Sequence, residues 1–166
     1  MPDWPRGRKR FLVGLFLDTA HTMVADLVQR LEAAGFTGIR PAHSRLFENL
    51  DPDGTRLATL ATRAQMTHQS MSELVQAMER VGYVERVPDP SDGRARLVRL
   101  TPLGQAMMRT ALAALTDIQD AWLRHLSEAP APDLPGALEW VLHAEEARAG
   151  QQGAAPRQPV RRTRSG

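Results

Sequence analysis

Residues 82–104 read Gly-Tyr-Val-Glu-Arg-Val-Pro-Asp-Pro-Ser-Asp-Gly-Arg-Ala-Arg-Leu-Val-Arg-Leu-Thr-Pro-Leu-Gly, and no other stretch restricts the fold as much. Two β-prone runs, Tyr83–Val87 and Leu97–Leu100, flank a loop rich in Pro, Asp, Ser and Gly, which is the pattern of a hairpin. Arg94 and Arg96 place two cations near the tip of this extension, which has little apolar content of its own. A hairpin tip bearing arginines is suited to a polyanion, and the DNA minor groove is the natural one. An ordinary solvated hairpin has the same composition, so the hairpin alone leaves both readings open.

The residues before it shift the balance. Leu57–Ala64 reads as a short helix with Leu60, Ala61 and Ala64 facing inward. Met66-Thr67-His68-Gln69 breaks that pattern, and Thr67 fits an N-cap. The next helix runs to about Val81, where Gly82 supplies the position that tolerates positive φ. Met71, Leu74, Val75, Met78 and Val81 recur at helical spacing as one buried stripe. His68, Gln69, Ser70, Ser72 and Gln76 then occupy the opposite, N-terminal face, as short neutral side chains able to read base edges in the major groove. Two short helices joined by a tight turn make a helix-turn-helix; the hairpin makes it winged.

On these residues the chain resembles the MarR-type (multiple antibiotic resistance) transcriptional regulators. Family members carry a wing motif of Asp, one residue and Arg, followed by an apolar strand and Leu-Thr-x-x-Gly; Asp92, Arg94, Leu100, Thr101 and Gly104 fall on those positions. The resemblance covers roughly residues 10–147. It implies a mainly α (α+β) fold, a winged helix-turn-helix with flanking long dimerisation helices. The implied organisation is a disordered basic arm over 1–9, an N-terminal dimerisation helix over 10–36, the DNA-binding domain over 37–101, C-terminal dimerisation helices over 102–148 and a disordered basic tail over 149–166. It implies a homodimeric, cytoplasmic repressor, and a dimer spaces its two recognition helices for a palindromic operator in double-stranded DNA. Arg63, Thr67, His68, Gln69, Ser70, Ser72, Gln76, Arg94, Arg96 and Arg99 are the expected DNA-binding residues. Asp92 and Arg94 are expected to shape the wing as an ion pair or hydrogen-bonded turn. The chain departs from the family at two places: Gly93 stands where many members have a second basic residue, and Glu73 where the recognition helix carries a basic one. A carboxylate there repels phosphates unless it turns to a neighbour such as Arg80 or Arg63, or the docking differs.

Charge supports DNA binding only locally. The chain carries 21 Lys and Arg against 19 Asp and Glu, yet nine of those cations and one acid lie in residues 1–10 and 147–166, leaving 12 cations and 18 acids between them. The body is acidic and the ends are basic, so any DNA contact rests on the placement of Arg63, Arg94, Arg96 and Arg99. The Gly-, Pro-, Gln- and Arg-rich C-terminal stretch lacks the apolar content that offsets ordering entropy, and its arginines suit either phosphate contacts or a merely solvated tail.

Three further segments read as helices: Arg10–Ala34, with Leu12, Leu15, Phe16, Thr19, Met23, Leu27 and Leu31 on one stripe; a helix capped by Thr101 and running to about Leu126, with Met107, Ala111, Leu115, Ile118 and Trp122; and a last one near Asp133–Arg148, with Leu134, Leu138, Val141 and Leu142. The resemblance places a small aromatic or phenolic ligand between these helices and the winged domain, with His21, Arg40, His43, Arg45 and Phe47 as candidate lining. Taken singly, each of the five is more readily an ordinary interface or surface residue.

Cysteine is absent, which excludes disulfides, thiolate metal sites and thiol redox switches. His21, His43, His68, His125 and His143 are scattered without ligand spacing, so no metal or other cofactor is expected. No Gly-rich phosphate loop or nucleophile elbow points to an enzyme, and no apolar run approaches the roughly 20 residues that span a bilayer. The alternatives are a winged helix that docks a protein, or a ligand-binding protein without specific DNA affinity.

Overall fold

A computed structural model of the chain describes residues 11–130 and 133–153. The expected basic arm over 1–9, and the tail from residue 154 onward, lie outside the described residues. Helix α1 (Leu12–Ala33) ends because Gly35 takes φ +91°, letting the Phe36 amide donate to the Leu31 carbonyl at 2.9 Å and satisfy an acceptor the helix leaves open. A 3-10 turn (Pro41–His43) leads into the short helix α2 (Ser44–Phe47). Strand β1 (Thr55–Arg56), helix α3 (Leu57–Arg63) and helix α4 (His68–Arg80) follow. Strands β2 (Val84–Asp89) and β3 (Asp92–Leu100) form the hairpin, and helices α5 (Pro102–Glu128) and α6 (Leu134–Gly153) complete the order. The three strands make one antiparallel sheet in the order β1-β3-β2. This is a mainly α winged helix-turn-helix.

The helix-turn-helix follows from local chemistry. Between α3 and α4, Gln65 adopts φ +53°, and the Met66 amide reaches back to the Ala61 carbonyl at 2.9 Å. Thr67 caps α4, its hydroxyl oxygen accepting the Ser70 amide at 3.1 Å. At the other end Gly82 takes φ +81°, and the Tyr83 amide donates to the Met78 carbonyl at 2.9 Å. The α4 stripe closes on the rest of the domain: Met71, Val75 and Met78 are buried with Leu31, Leu46, Leu60, Ala61, Ala64, Tyr83, Val84, Val98, Met107 and Ala111 in one core.

Several expectations need correction. The hairpin strands reach further into the expected loop, leaving only Pro90 and Ser91 between them, because backbone pairing continues past the apolar residues. Strand β1 is only two residues long, too short for a periodic signal. Helix α6 continues to Gly153, five residues into the expected tail, through a stretch that includes the good helix formers Arg148, Ala149, Gln151 and Gln152. Val81 is exposed because it is the C-cap, where the backbone has left helical geometry. Leu12, Phe16, Leu115 and Leu134 continue their stripes but are exposed.

The described residues divide into two compact units. Ala20–Ala121 contains the winged domain and the parts of α1 and α5 joined to it; within it Arg30 bonds Asp26 at 3.0 Å and approaches Asp117 at 4.0 Å. Of the described residues, the other unit comprises 11–19, 122–130 and 133–153. Its described residues bury Leu15, Trp122, Leu138, Val141 and Leu142, and expose Phe11, Leu12, Val13, Phe16, Leu17, Leu123, Leu134 and Trp140. Among the described residues, no helix is long and apolar enough to cross a membrane.

The Leu-Thr-x-x-Gly segment has a geometric origin. The Thr101 amide donates to the Tyr83 carbonyl, and its hydroxyl donates to the Gly82 carbonyl while accepting the Gly104 amide. This draws the first turn of α5 so close to the Tyr83 backbone that a Cβ on residue 104 would lie 1.9 Å from the Tyr83 carbonyl oxygen. Gly104→Ala is therefore expected to lower stability by on the order of 3 kcal/mol, measured by urea denaturation; an unchanged midpoint would refute the close approach.

Candidate nucleic-acid interface

Residues 69, 73, 76 and 80 fall at helical spacing along α4 and form its exposed ridge: Gln69, Glu73, Gln76 and Arg80. Thr67 and His68 are exposed at its N-terminus, while Ser70 and Ser72 are half-buried at its side. Burial of Met71, Val75 and Met78 on the opposite side fixes the ridge outward. Its side chains are ordered by contacts along the helix: Gln69 Nε2 donates to Glu73 Oε1 at 3.3 Å, and Gln76 Nε2 to Ser72 Oγ at 3.4 Å.

The wing is held beside its turn by a pair that the sequence does not announce. Arg56, on β1, donates through Nε to Asp89 Oδ2 at 2.7 Å and lies 2.6 Å from the same oxygen through Nη2. The other oxygen of Asp89 accepts the Ser91 amide at 2.8 Å and the Ser91 hydroxyl at 2.7 Å. Hydrogen bonds from Ser91, side chain first and then amide, followed by that from Arg56, bring the Asp89 carboxyl down to about 2. Asp92 adds to the cluster, 3.6 Å from Arg56 Nη2.

Asp92 and Arg94 form the hydrogen-bonded turn rather than an ion pair: the Arg94 amide donates to Asp92 Oδ1 at 3.1 Å. The register pairs Asp89 with Asp92 and then Pro88 with Arg96. Gly93, Arg94 and Ala95 are left opposite no residue of β2, a bulge of the kind that re-aims side chains. Arg94 and Arg96 are exposed, and among the described residues neither guanidinium has a partner.

Other expected cations are already engaged. Arg63 Nη1 bonds both oxygens of Asp51 at 2.9 Å and the Asn49 carbonyl at 3.1 Å; with Thr55, it holds the Asp51 carboxyl below the usual carboxylate range. Arg99 bonds Glu85 at 2.8 Å. Both pairs are exposed, the class worth roughly 0–1 kcal/mol, so either arginine could exchange its partner for a phosphate. Glu73 takes neither of its expected partners: Arg63 is held by Asp51, and Arg80 Nε donates to the Gln76 carbonyl at 3.4 Å.

The five candidate ligand residues divide differently. His43 is buried, its Nδ1 accepting the Arg40 amide at 3.0 Å; burial first, and then the Arg40 charge, keep its pKa below the ordinary value. Arg45 donates to the Ala64 carbonyl at 3.2 Å, tying α2 to the end of α3. Phe47 packs against the core, and His21 and Arg40 are exposed. Two open depressions are lined by other residues: about 260 Å³ beside Ala58, Thr59, Thr62 and Arg63, and about 430 Å³ beside Gln76, Glu79 and Arg80. Among the described residues no three His, Asp or Glu side chains gather as a metal site.

The wing and helix-turn-helix can be set against known proteins. A model described as the MarR family matches residues 37–95, from the turn before α2 into β3. Over residues 37–95 the chain is similar to that family. The transcriptional regulator HosA of Escherichia coli O111:H- is 28% identical over 88 residues, 53% of this chain and 65% of that protein. The match thus spans slightly less than two thirds of that relative. Among solved structures, the S. aureus MepR–DNA complex is similar with a TM-score of 0.50 and 23% identity, over 64% of this chain and 86% of that one. The PcaV regulator of Streptomyces coelicolor, in complex with its natural ligand, has a TM-score of 0.51 and 23% identity over 83% of this chain and 91% of that one. At these identities the solved structures share the fold.

The cluster at Asp89 has a definite acid signature. Its pKa lies below the ordinary 3.8, so the folded chain holds this proton less tightly than the unfolded one. The resulting stabilisation is complete above about pH 4 and is lost as pH falls toward 2. A carboxyl-carbon NMR titration should place Asp89 near 2 in the wild type and higher in Ser91→Ala. A midpoint near 3.8 in both proteins would remove the cluster from this account.

Proposed function

We propose that this protein is a homodimeric transcriptional regulator that binds a palindromic operator in double-stranded DNA. In this reading α4 enters the major groove, with Thr67, His68, Gln69, Ser70, Ser72 and Gln76 facing bases and backbone. Arg94 and Arg96 probe the adjacent minor groove, and Arg63 and Arg99 meet phosphates. The observation that carries the reading is the pairing of two surfaces: an exposed polar ridge on a capped helix, and, among the described residues, unpartnered arginines on a wing whose turn is clamped by Arg56 and Asp89. A solvated hairpin needs neither clamp nor bulge. The DNA-bound state of MepR supports it by the shared fold.

A second copy of the chain is the natural cover for Phe11, Leu12, Phe16, Leu17 and Trp140, whose exposure in a small unit is costly at about 25 cal/mol per Å² of apolar surface. A dimer seated on a promoter represses by excluding polymerase through bulk. A small aromatic or phenolic ligand that releases DNA belongs to the same reading, with His21, Arg40, His43, Arg45 and Phe47 as its candidate contacts. The bound natural ligand of PcaV supports the ligand; the buried, bonded state of His43 and the core packing of Phe47 leave Arg40 and His21 as the more accessible of the five.

The test is a fluorescence-anisotropy titration of the full chain against duplex DNA from upstream of its own gene, at several salt concentrations, with Arg94→Ala alongside. Specific binding weakened in the variant by on the order of 1–3 kcal/mol is expected. Weak, steeply salt-dependent binding that ignores residue 94 would reject the operator-reading function.

A further inference from the structure

The exposed ridge of α4 contains no cation until Arg80, at the last residue of the helix. Its central charge is negative. Glu73 stands between Gln69 and Gln76 on the ridge, and its contact is a single hydrogen bond from the Gln69 amide at 3.3 Å, which orients the carboxylate without neutralising it. Neither Arg63 nor Arg80 bonds it: Arg63 bonds Asp51, and Arg80 the Gln76 carbonyl. A carboxylate carried into a polyanionic groove is repelled by every phosphate, so it is tolerated only where it meets a hydrogen-bond donor.

Few base edges offer one. In the major groove guanine presents two acceptors and thymine an acceptor and a methyl group; only the amino groups of cytosine and adenine donate. Adenine sets the N7 acceptor beside its amino group, where the second carboxylate oxygen would face a lone pair. Cytosine has no such neighbour on its own edge. The flanking carboxamides of Gln69 and Gln76 are, by the same geometry, suited to adenine, whose N6 and N7 match one donor and one acceptor.

We propose that Glu73 is the specificity-determining residue of the recognition helix, accepting a hydrogen bond from the N4 amino group of one cytosine in each half of the DNA site. This rests on the operator-reading function proposed above. The residue both selects cytosine and penalises other sequences, because guanine and thymine offer its charge no donor and adenine sets the N7 lone pair against its second oxygen. The repulsion that makes Glu73 a liability on random DNA thus becomes discrimination.

The experiment is binding-site selection from a randomised duplex pool with the full-length wild type, Glu73→Ala, Glu73→Gln and Arg94→Ala, followed by anisotropy on single-base variants of the selected site. Residue 73 is exposed, so the variants should fold, and circular dichroism checks this. The wild type should select a fixed cytosine per half-site, with other bases there weakening binding roughly 5- to 150-fold. Glu73→Ala should bind all four bases at that position alike while keeping the remaining preferences. Glu73→Gln should move the preference to adenine. Retention of the same cytosine by Glu73→Ala, or selection by the wild type of a motif that Glu73→Ala leaves unchanged, overturns the proposal while leaving operator reading intact. If the wild type selects no motif and Arg94→Ala binds as it does, operator reading and this inference fall together.

Discussion

The backbone junction around Gly82, Tyr83, Thr101 and Gly104 is the constraint on which the arrangement of the DNA-facing surfaces depends. Gly82 ends α4 in a left-handed conformation, its carbonyl accepts the Thr101 hydroxyl, and the Tyr83 carbonyl accepts the Thr101 amide. The end of the recognition helix, the start of β2, the end of β3 and the first turn of α5 therefore meet within a few bonds of one another. Tyr83 extends the junction further, its hydroxyl donating to the Thr37 carbonyl at 3.0 Å. A wing hinged at such a point inherits its direction from α4. On the proposed function the two surfaces meet adjacent grooves of one duplex and need that kind of shared anchor, since a shift of about an ångström at the base is magnified along the hairpin.

The sheet supplies the second anchor, and here charge rather than packing decides. The wing extends beyond the core, whose last members on it are Val84 and Val98, so apolar burial cannot orient the tip. Arg56 reaches across from β1 to Asp89 and Asp92 and fixes the turn through groups in short contact. Asp89 is nearly enclosed, at 7% exposure, and with hydrogen bonds to both oxygens it belongs to the charge-assisted class that outlasts surface ion pairs. The contrast with Arg63–Asp51 and Arg99–Glu85 is functional. Those exposed pairs keep two cations loosely held, whereas Arg94 and Arg96 are held by their backbone alone and leave their charges free.

Much of this was legible in the residues because it is local. The Thr67 cap, the Gly35 and Gly82 stops, and the inward faces of α3 and α4 each need information from a few adjacent positions, and apart from Val81 the structure places them as expected. What was not legible joins distant parts of the chain. Arg56 and Asp89 are 33 residues apart, and their contact exists only because a two-residue strand pairs with β3. The turn itself left a trace, since Asp followed by Ser two residues later is the pattern of a carboxylate accepting from the backbone; nothing comparable marked Arg56. The partner of Arg63 was hidden for the same reason, as Asp51 lies 12 residues away in a segment without periodicity. The apolar stripes of α1, α5 and α6 had the right spacing, but spacing does not reveal whether the surface is covered by the same chain.

These separations bear on how an acidic body with basic ends could read an acidic polymer. With 18 acids against 12 cations between residues 11 and 146, long-range attraction cannot bring the body to DNA, and beyond about 8 Å physiological salt screens what remains. Attraction must then come from a few fixed cations at short range, which puts a premium on the clamp and bulge that hold Arg94 and Arg96 outward. The same balance gives the recognition helix a different task. A ridge of carboxamides around one carboxylate contributes little to non-specific affinity and opposes it through Glu73, so a sequence lacking matching donors is held only by the wing and the exchangeable arginines. On the proposed function affinity and selectivity divide between two elements joined at one junction, and a body with few cations to spare can discriminate without first binding everywhere.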